Sequence, residues 1–277
     1  TSRRQRQMCI RDSRKYCYNI LVSGLDDDNG GSDTNILVRF DVPNKRIDLV
    51  SLPRDTLLHN EYRNNKLNFA YAKGGTELLM EQIENLLGVP VDFYVTVNLK
   101  GFIALVDQID GVDFDIPINM DYDDPYQDLH IHFTKGPRHL NGQEAMEVVR
   151  FRHNNDGTGY GTEDIGRIGT QQAFLKAVAK QLLQIGNVKN IPALVDIFYT
   201  YVKTDLTTGN LVWLGNEALN IGTENIHFAT LPGDGSGYYN KQSVYVLDAQ
   251  ATCDLVNEAL NPYNEALTLE DMDILVP

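Results

Sequence analysis

The sequence predicts an α/β fold: a central mixed β-sheet covered by helices on both faces, a three-layer sandwich built as a single main domain. Two observations predict it. Apolar runs rich in β-branched residues alternate with segments whose apolar residues recur at helical spacing, the pattern of a sheet with covered faces. In addition, residues 19–55 hold three short apolar runs punctuated by Gly, Pro and Asn, the last two joined as a hairpin. A chain of 277 residues with 42% hydrophobic and 22% charged content can bury the core such a fold needs.

The elements follow in order. Residues 1–14 are basic and unpatterned, and are expected to lie outside the fold as a non-native or disordered tail. The main alternation occupies residues 15–185. The first strand runs from Asn19 to Ser23 and enters a Gly- and Asp-rich turn at residues 24–31. The polar triplet Ser32-Asp33-Thr34 then opens a second strand that reaches Asp41. After a turn at Pro43-Asn44-Lys45, the third strand closes in Leu52-Pro53-Arg54-Asp55. Asp33 and Arg54 lie almost equally far from the turn, so an antiparallel hairpin brings them to one end of the sheet. A first strand parallel to the third adds Asp26. Two carboxylates and a guanidinium beside Gly-rich backbone suit a divalent cation and an anionic oxygen ligand.

Residues 59–68 are polar and read as a surface loop. Residues 74–87 carry Leu78, Leu79, Ile83, Leu86 and Leu87 on one helical stripe, and Gly88 stops the helix. A strand at 91–97, a helix at 100–109 and a strand at 111–116 continue the alternation. Residues 119–137 are acidic and aromatic. His130 and His132 alternate there on an extended segment, and no carboxylate at helical spacing completes a metal-ligand set, so an exposed loop or hairpin is the reading. Asn141 and Glu144 form a capping-box pattern for the next helix, which runs into Arg150-Phe151-Arg152. If the chain is extended there, both guanidiniums face one side and Phe151 packs on the other.

Residues 153–163 are Gly-rich and read as a lid beside the arginine pair or as a plain surface insertion. No Gly-Lys-Ser or Gly-Lys-Thr follows, which excludes a P-loop. A long helix begins at Asp164, its candidate cap, with Arg167 and Gln171 on one face of the first turns, where backbone N–H groups attract anions. Residues 186–262 complete the domain: a helix at 190–201, a second entered through Thr204-Asp205-Leu206-Thr207 and running through Trp213 and Leu219, a strand at 226–231, a turn at 233–237, its hairpin partner at 243–247, and a last helix at 249–260. Residues 263–277 form an acidic, peripheral tail.

Several function classes are excluded. A net charge of −14 rules against nucleic acid, which needs a broad basic face, so any anion site must be a local arginine cluster. Cys9, Cys17 and Cys253 are too few and too scattered for a disulfide framework or a zinc site. No run approaches the roughly 20 apolar residues of a membrane-spanning helix.

Gly24-Leu25-Asp26, Ser32-Asp33-Thr34 and Ser51-Leu52-Pro53-Arg54-Asp55 resemble the opening signature of the LytR-CpsA-Psr family of cell-envelope phosphotransferases. Leu140-Asn141-Gly142 to Ala145, the Arg150/Arg152 pair and Gly166-Arg167 with Gln171-Gln172 resemble its second half, in the same order. The resemblance covers roughly residues 18–185. It implies an enzyme on the extracytoplasmic face of the cell membrane that moves a glycopolymer, such as a teichoic acid, from a polyprenyl-pyrophosphate carrier onto peptidoglycan. Family members carry a membrane anchor ahead of this domain, and one is expected here beyond this sequence. The family usually has arginine where this chain has Asp28, Gly31 and Thr170.

The resemblance and the residue chemistry together give an expected site. Arg54, Arg150, Arg152 and Arg167 neutralise pyrophosphate oxygens, with Gln171 as a neutral donor, and Asp26 and Asp33 hold one Mg²⁺. Asp33 also orients or deprotonates the incoming sugar hydroxyl, since arginine stays protonated. Asp33, Arg54, Arg152 and Arg167 are thus the expected catalytic residues. The alternatives are a carrier pyrophosphatase with water as acceptor, and a non-catalytic polyprenyl-phosphate or glycan-binding member.

Overall fold

A computed structural model of the chain describes residues 12–25, 30–126, 128–161, 163–184 and 198–276. In chain order the elements are β1 (Cys17–Leu25), β2 (Ser32–Asp41), β3 (Arg46–Leu52), α1 (Leu67–Leu87), β4 (Phe93–Val97), α2 (Leu99–Gln108), β5 (Val112–Ile116), β6 (Met120–Asp124), β7 (Leu129–Phe133), β8 (Gly136–Leu140), α3 (Gly142–Arg150), α4 (Glu163–Gln184), β9 (Val202–Thr204), α5 (Thr208–Ile221), β10 (Ile226–Thr230), β11 (Gly233–Tyr239), β12 (Gln242–Leu247) and α6 (Ala249–Ala259). They fall into two compact units, Thr1–Val97 with Lys203–Pro277, and Asn98–Val202. Among the described residues no helix is long and apolar enough to cross a membrane.

The first unit holds the expected mixed sheet, six strands in the order β10-β3-β2-β1-β4-β9. β2 runs antiparallel to both β1 and β3, whereas β4 lies parallel to β1 and β10 parallel to β3. Leu21 pairs with Leu37, and Leu37 with Val50, so these three share one face, where they pack with Leu79 and Ile83 of α1 and Val256 of α6 in one buried cluster. Ile20, Val38 and Tyr18 point to the opposite face by the period of two. There Tyr18 meets Trp213 of α5 edge-on at 6.0 Å. Both faces are therefore covered, as the continuous apolar runs of the central strands require.

Four local expectations change. The helix starts at Leu67 rather than residue 74, because Leu67 and Ala70 are buried. The polar 59–68 stretch is loop only up to that point, and the helix breaks at Gly74-Gly75, where Gly75 takes φ 66°. The strand at 226–231 does not pair with 243–247. Instead it joins the sheet beside β3, and the Gly-rich segment read as a turn is itself the partner strand β11. Gly233 permits this pairing, since a Cβ there would lie 2.3 Å from the Val246 carbonyl oxygen. The strand at 111–116 forms but pairs with β8, outside the central sheet. Finally, Arg14 and the acidic tail reach into the fold: Arg14 Nη1 bonds Asp41 at 2.7 Å, and Leu267 and Met272 are core residues, while residues 1–11 of the expected N-terminal tail lie outside the described residues. The pattern missed these because isolated anchors have no periodicity.

The second unit surrounds a core of its own. α2, α3 and α4 pack with two two-stranded sheets, β5-β8 and β6-β7, around Val106, Ile116, Ile131, Val148, Phe151 and Phe174. Residues 119–137, left open as loop or hairpin, contain the β6-β7 hairpin, whose inward residues Met120, Leu129, Ile131 and Phe133 alternate with exposed polar ones.

Candidate active site

The first unit places Asp33 and Arg54 together, as the hairpin geometry demands. β1 and β3 both oppose β2, so the ends of β1 and β3 and the start of β2 share one end of the sheet. The β1-β2 register slips there from Gly24↔Thr34 to Leu25↔Ser32, which leaves Asp33 as the extra residue of a β-bulge. Bulges re-aim a side chain that a regular ladder would direct across the sheet. Asn35 braces the bulge: its Nδ2 donates to the Ser32 carbonyl at 3.2 Å, and its Oδ1 accepts from Ser23 Oγ at 3.2 Å. Arg54 sits in the turn after β3, its carbonyl accepting from Asn68 N–H at 2.9 Å.

Arg54 Nη1 donates to Asp33 Oδ1 at 2.5 Å, with 25% and 29% of the two side chains exposed. Its Nε makes no hydrogen bond and lies 3.7 Å from Asp55 Oδ1, which is also 3.2 Å from Lys66 Nζ. A partly exposed guanidinium beside a solvent-reachable carboxylate offers an anion site next to an oxygen ligand or base. That carboxylate fits Mg²⁺, a hard cation bound through one or two carboxylates while water and phosphate complete its shell. Asp26, the second expected ligand, and Asp28 lie outside the described residues.

The second unit carries the other expected cations. Asn141 accepts from Glu144 N–H at 2.9 Å while Glu144 accepts from Asn141 N–H at 3.1 Å, the capping box that starts α3. α3 ends at Arg150, and Phe151 turns the chain extended with φ −59° and ψ 134°. Phe151 is buried and meets Tyr160 edge-on at 5.6 Å, while Arg152 is exposed. The extended stretch thus begins one residue after Arg150, which is still helical. Gln171 Nε2 donates to the Val149 carbonyl at 3.1 Å, tying α4 to the end of α3.

Arg167 is 4% exposed, so it belongs to the interior of this unit and not to a solvated helix face. Its neighbour Gly166 has a packing role: a Cβ there would lie 2.2 Å from Tyr160 Cβ, so the ring of Tyr160 requires glycine. The Tyr160 hydroxyl lies 2.8 Å from Thr170 Oγ1, and burial pushes the phenol pKa up. Residues 154–158 of the Gly-rich stretch form a closed turn. Asn154 N–H donates to the Thr158 carbonyl at 2.7 Å, and Asp156 Oδ1 accepts from Thr158 N–H at 2.9 Å. The side chain of Asp164, the expected cap, lies outside the described residues.

The profile of the LytR_cpsA_psr family matches residues 2–261. The chain belongs to the LytR-CpsA-Psr family. It is 32% identical over 256 residues to the polyisoprenyl-teichoic acid–peptidoglycan teichoic acid transferase TagV of Bacillus subtilis, covering 88% of this chain and 63% of that protein. It is equally 32% identical over 254 residues to the corresponding transferase TagU of Bacillus cereus, covering 90% of this chain and 80% of that one. The crystal structure of B. subtilis TagV superposes with a TM-score of 0.76 at 27% identity, covering 95% of this chain and all of that one. The chain therefore spans less than two thirds of the length of B. subtilis TagV.

Within the LytR-CpsA-Psr frame, the motif residues have distinct physical roles. Asp33 is displaced by a bulge, Arg54 pairs with it while staying partly exposed, Gly166 admits an aromatic ring and Thr170 bonds that ring's hydroxyl. Sequence reasoning set one cluster aside as a metal site because no carboxylate stood at helical spacing. Carboxylates do approach His130 and His132, but from the opposite strand: Asp123 faces His130 and Asp121 faces His132 across β6-β7. Ligand rules framed on helical spacing do not see cross-strand pairs, and the alternation of charged with apolar residues at 120–124 and 129–133 was the signal available.

Proposed function

We propose that this LytR-CpsA-Psr chain is an extracytoplasmic phosphotransferase that moves a glycopolymer from a polyprenyl-pyrophosphate carrier onto a peptidoglycan hydroxyl. The observation that carries the reading is the Arg54–Asp33 pair on the bulged sheet end, where a partly exposed guanidinium adjoins a partly exposed carboxylate. The names of the TagV and TagU relatives support the substrate class.

The chemistry assigned to these residues is as follows. The acceptor hydroxyl oxygen attacks the glycan-linked phosphorus, and the bond from that phosphorus to the bridging oxygen breaks. Polyprenyl phosphate leaves, and the hydroxyl proton passes to Asp33, since Arg54 cannot accept it. Arg54 neutralises non-bridging oxygens, where charge stabilisation supplies most of the rate of such reactions. In the second unit, Gln171 holds the end of α3 that bears Arg150. Mg²⁺ held by Asp33, and by Asp26 beyond the described residues, would supply further charge neutralisation on the phosphates.

The test is protection against thermal unfolding by a short polyprenyl pyrophosphate, with and without Mg²⁺. Ligand at a hundred times its dissociation constant adds about 2.7 kcal/mol to native stability. Wild type is expected to be protected, Arg54→Ala not, and Asp33→Ala protected but without transfer activity and without a response to Mg²⁺. Lack of protection of the wild type overturns the carrier assignment. Equal Mg²⁺ responses in wild type and Asp33→Ala overturn the metal assignment.

A further inference from the structure

We propose that the β6-β7 hairpin is a binding site for a borderline divalent cation of the Zn²⁺ class, with His130, His132 and Asp123 as protein ligands and a fourth position open to water. One ligand atom from each residue lies within 4.8 Å of the others, and all three side chains are exposed. Strand geometry explains the convergence. His130 and His132 are two apart on β7 and share its outer face, while Asp123 stands directly opposite His130 and diagonal to His132 on β6. Asp123 contacts His130 Nδ1 through a hydrogen bond and lies 3.3 Å from His132 Nε2, so one carboxylate already bridges both rings.

The distances suit the ion. Ligands on a tetrahedral Zn²⁺ at about 2.0–2.1 Å stand roughly 3.4 Å apart, a spacing these side chains reach by small rotamer adjustments with no backbone change. Two imidazoles and a carboxylate favour Zn²⁺, Ni²⁺ or Cu²⁺ over Mg²⁺, which prefers oxygen alone. Further carboxylates stand beside the rings: Asp121 Oδ1 is 2.8 Å from His132 Nδ1, and Asp128 Oδ1 is 3.6 Å from His130 Nε2. Carboxylates in such places orient a ligating imidazole and raise its basicity.

The site is also built rather than incidental. The opposite face of the hairpin is anchored by Leu129, Ile131 and Phe133 in the core of its unit. The β6 backbone is clamped by Asn154 Oδ1, accepting from Asp121 N–H at 2.7 Å, and by Asn155 Oδ1, accepting from Asp123 N–H at 2.6 Å. A preorganised strand pair presents its ligands without an ordering cost. This inference is independent of the pyrophosphate reading, because it uses no residue assigned to the carrier.

The experiment titrates Zn²⁺ into the full chain, free of any affinity tag, in competition with a colorimetric chelator. Wild type is compared with His130→Ala/His132→Ala, Asp123→Asn and His139→Ala. His139 is the control: an exposed histidine that pairs with Asp113 at 2.8 Å but belongs to no such cluster. The double variant is expected to bind at least about a hundredfold more weakly, and Asp123→Asn about tenfold more weakly, by the scale of losses at metal sites. His139→Ala and millimolar Mg²⁺ should leave Zn²⁺ binding unchanged. The altered residues are exposed, so unchanged unfolding midpoints without metal are expected to show the variants folded. Affinities of wild type and the double variant within about threefold of one another, or an equal loss in His139→Ala, would show only adventitious surface binding and overturn the proposal.

Discussion

At one end of the β2-β3 hairpin Arg39 Nη2 donates to Asp48 at 2.7 Å, with 4% and 2% of the side chains exposed; at the other, Arg54 donates to Asp33 with 25% and 29% exposed. The two pairs join the same strands by the same chemistry, yet differ in what surrounds them. Arg39 and Asp48 are directly opposed in the ladder, and Asp48 also accepts from Arg46 Nε at 2.8 Å, while Arg46 reaches on to Glu258 at 3.1 Å. Arg39 and Asp48 are both buried there, and the network reaches solvent only through Arg46 and Glu258. Arg54 holds Asp33 across a bulge, and both side chains reach solvent. A closed charge network is architecture, and an open one is available to a ligand.

The largest expected effect is at the closed end. Asp48→Ala leaves Arg39 buried without its acceptor, and breaking such a pair costs about 3–5 kcal/mol, read as a lower urea midpoint. A cost below about 1 kcal/mol would erase the distinction between the two ends. Next comes Arg54→Ala, expected to cost no more than about 1 kcal/mol in the same assay, because a half-exposed pair is screened by water. A loss as large as that of Asp48→Ala would make Arg54 structural. The smallest effect involves partly desolvated carboxylates that have backbone partners in place of cations. Glu84 accepts from Val91 N–H at 2.9 Å and Asp92 from Asn19 N–H at 2.8 Å, and burial pushes both pKa values up. The folded state then binds protons more tightly than the unfolded one, so these two groups favour folding more as pH falls from neutral toward their folded pKa values. Glu84→Gln/Asp92→Asn should show a smaller gain, or a larger loss, in unfolding midpoint between pH 7 and pH 5 than wild type.

What was legible follows from local rules. The Pro43-Asn44-Lys45 turn sets the register of β2 and β3, and with it the meeting of Asp33 and Arg54. The capping box at Asn141 likewise needs only four residues. The bulge was not legible, since a one-residue slip between β1 and β2 depends on both strands at once. Nor was the parallel pairing of β10 with β3: Gly233 and Gly237 read as turn residues, whereas their missing side chains admit the close approach of β12. The burial of Arg167 follows from how α4 packs, which its Arg/Gln spacing does not encode.

The side chains of Asn154 and Asn155 give the segment after Arg152 a shared clock with the β6-β7 hairpin. Asn155 also donates from Nδ2 to the Asp123 carbonyl at 3.1 Å and from its own N–H to the Asp121 carbonyl at 3.2 Å. Opening the segment therefore means losing several of these bonds together. The amides of Asp121, Asp123 and Asn155 are expected to exchange with solvent hydrogen as one cooperative group. The arginine-bearing end of α3 would then inherit its slow motions from a hairpin that contributes no residue to phosphate chemistry.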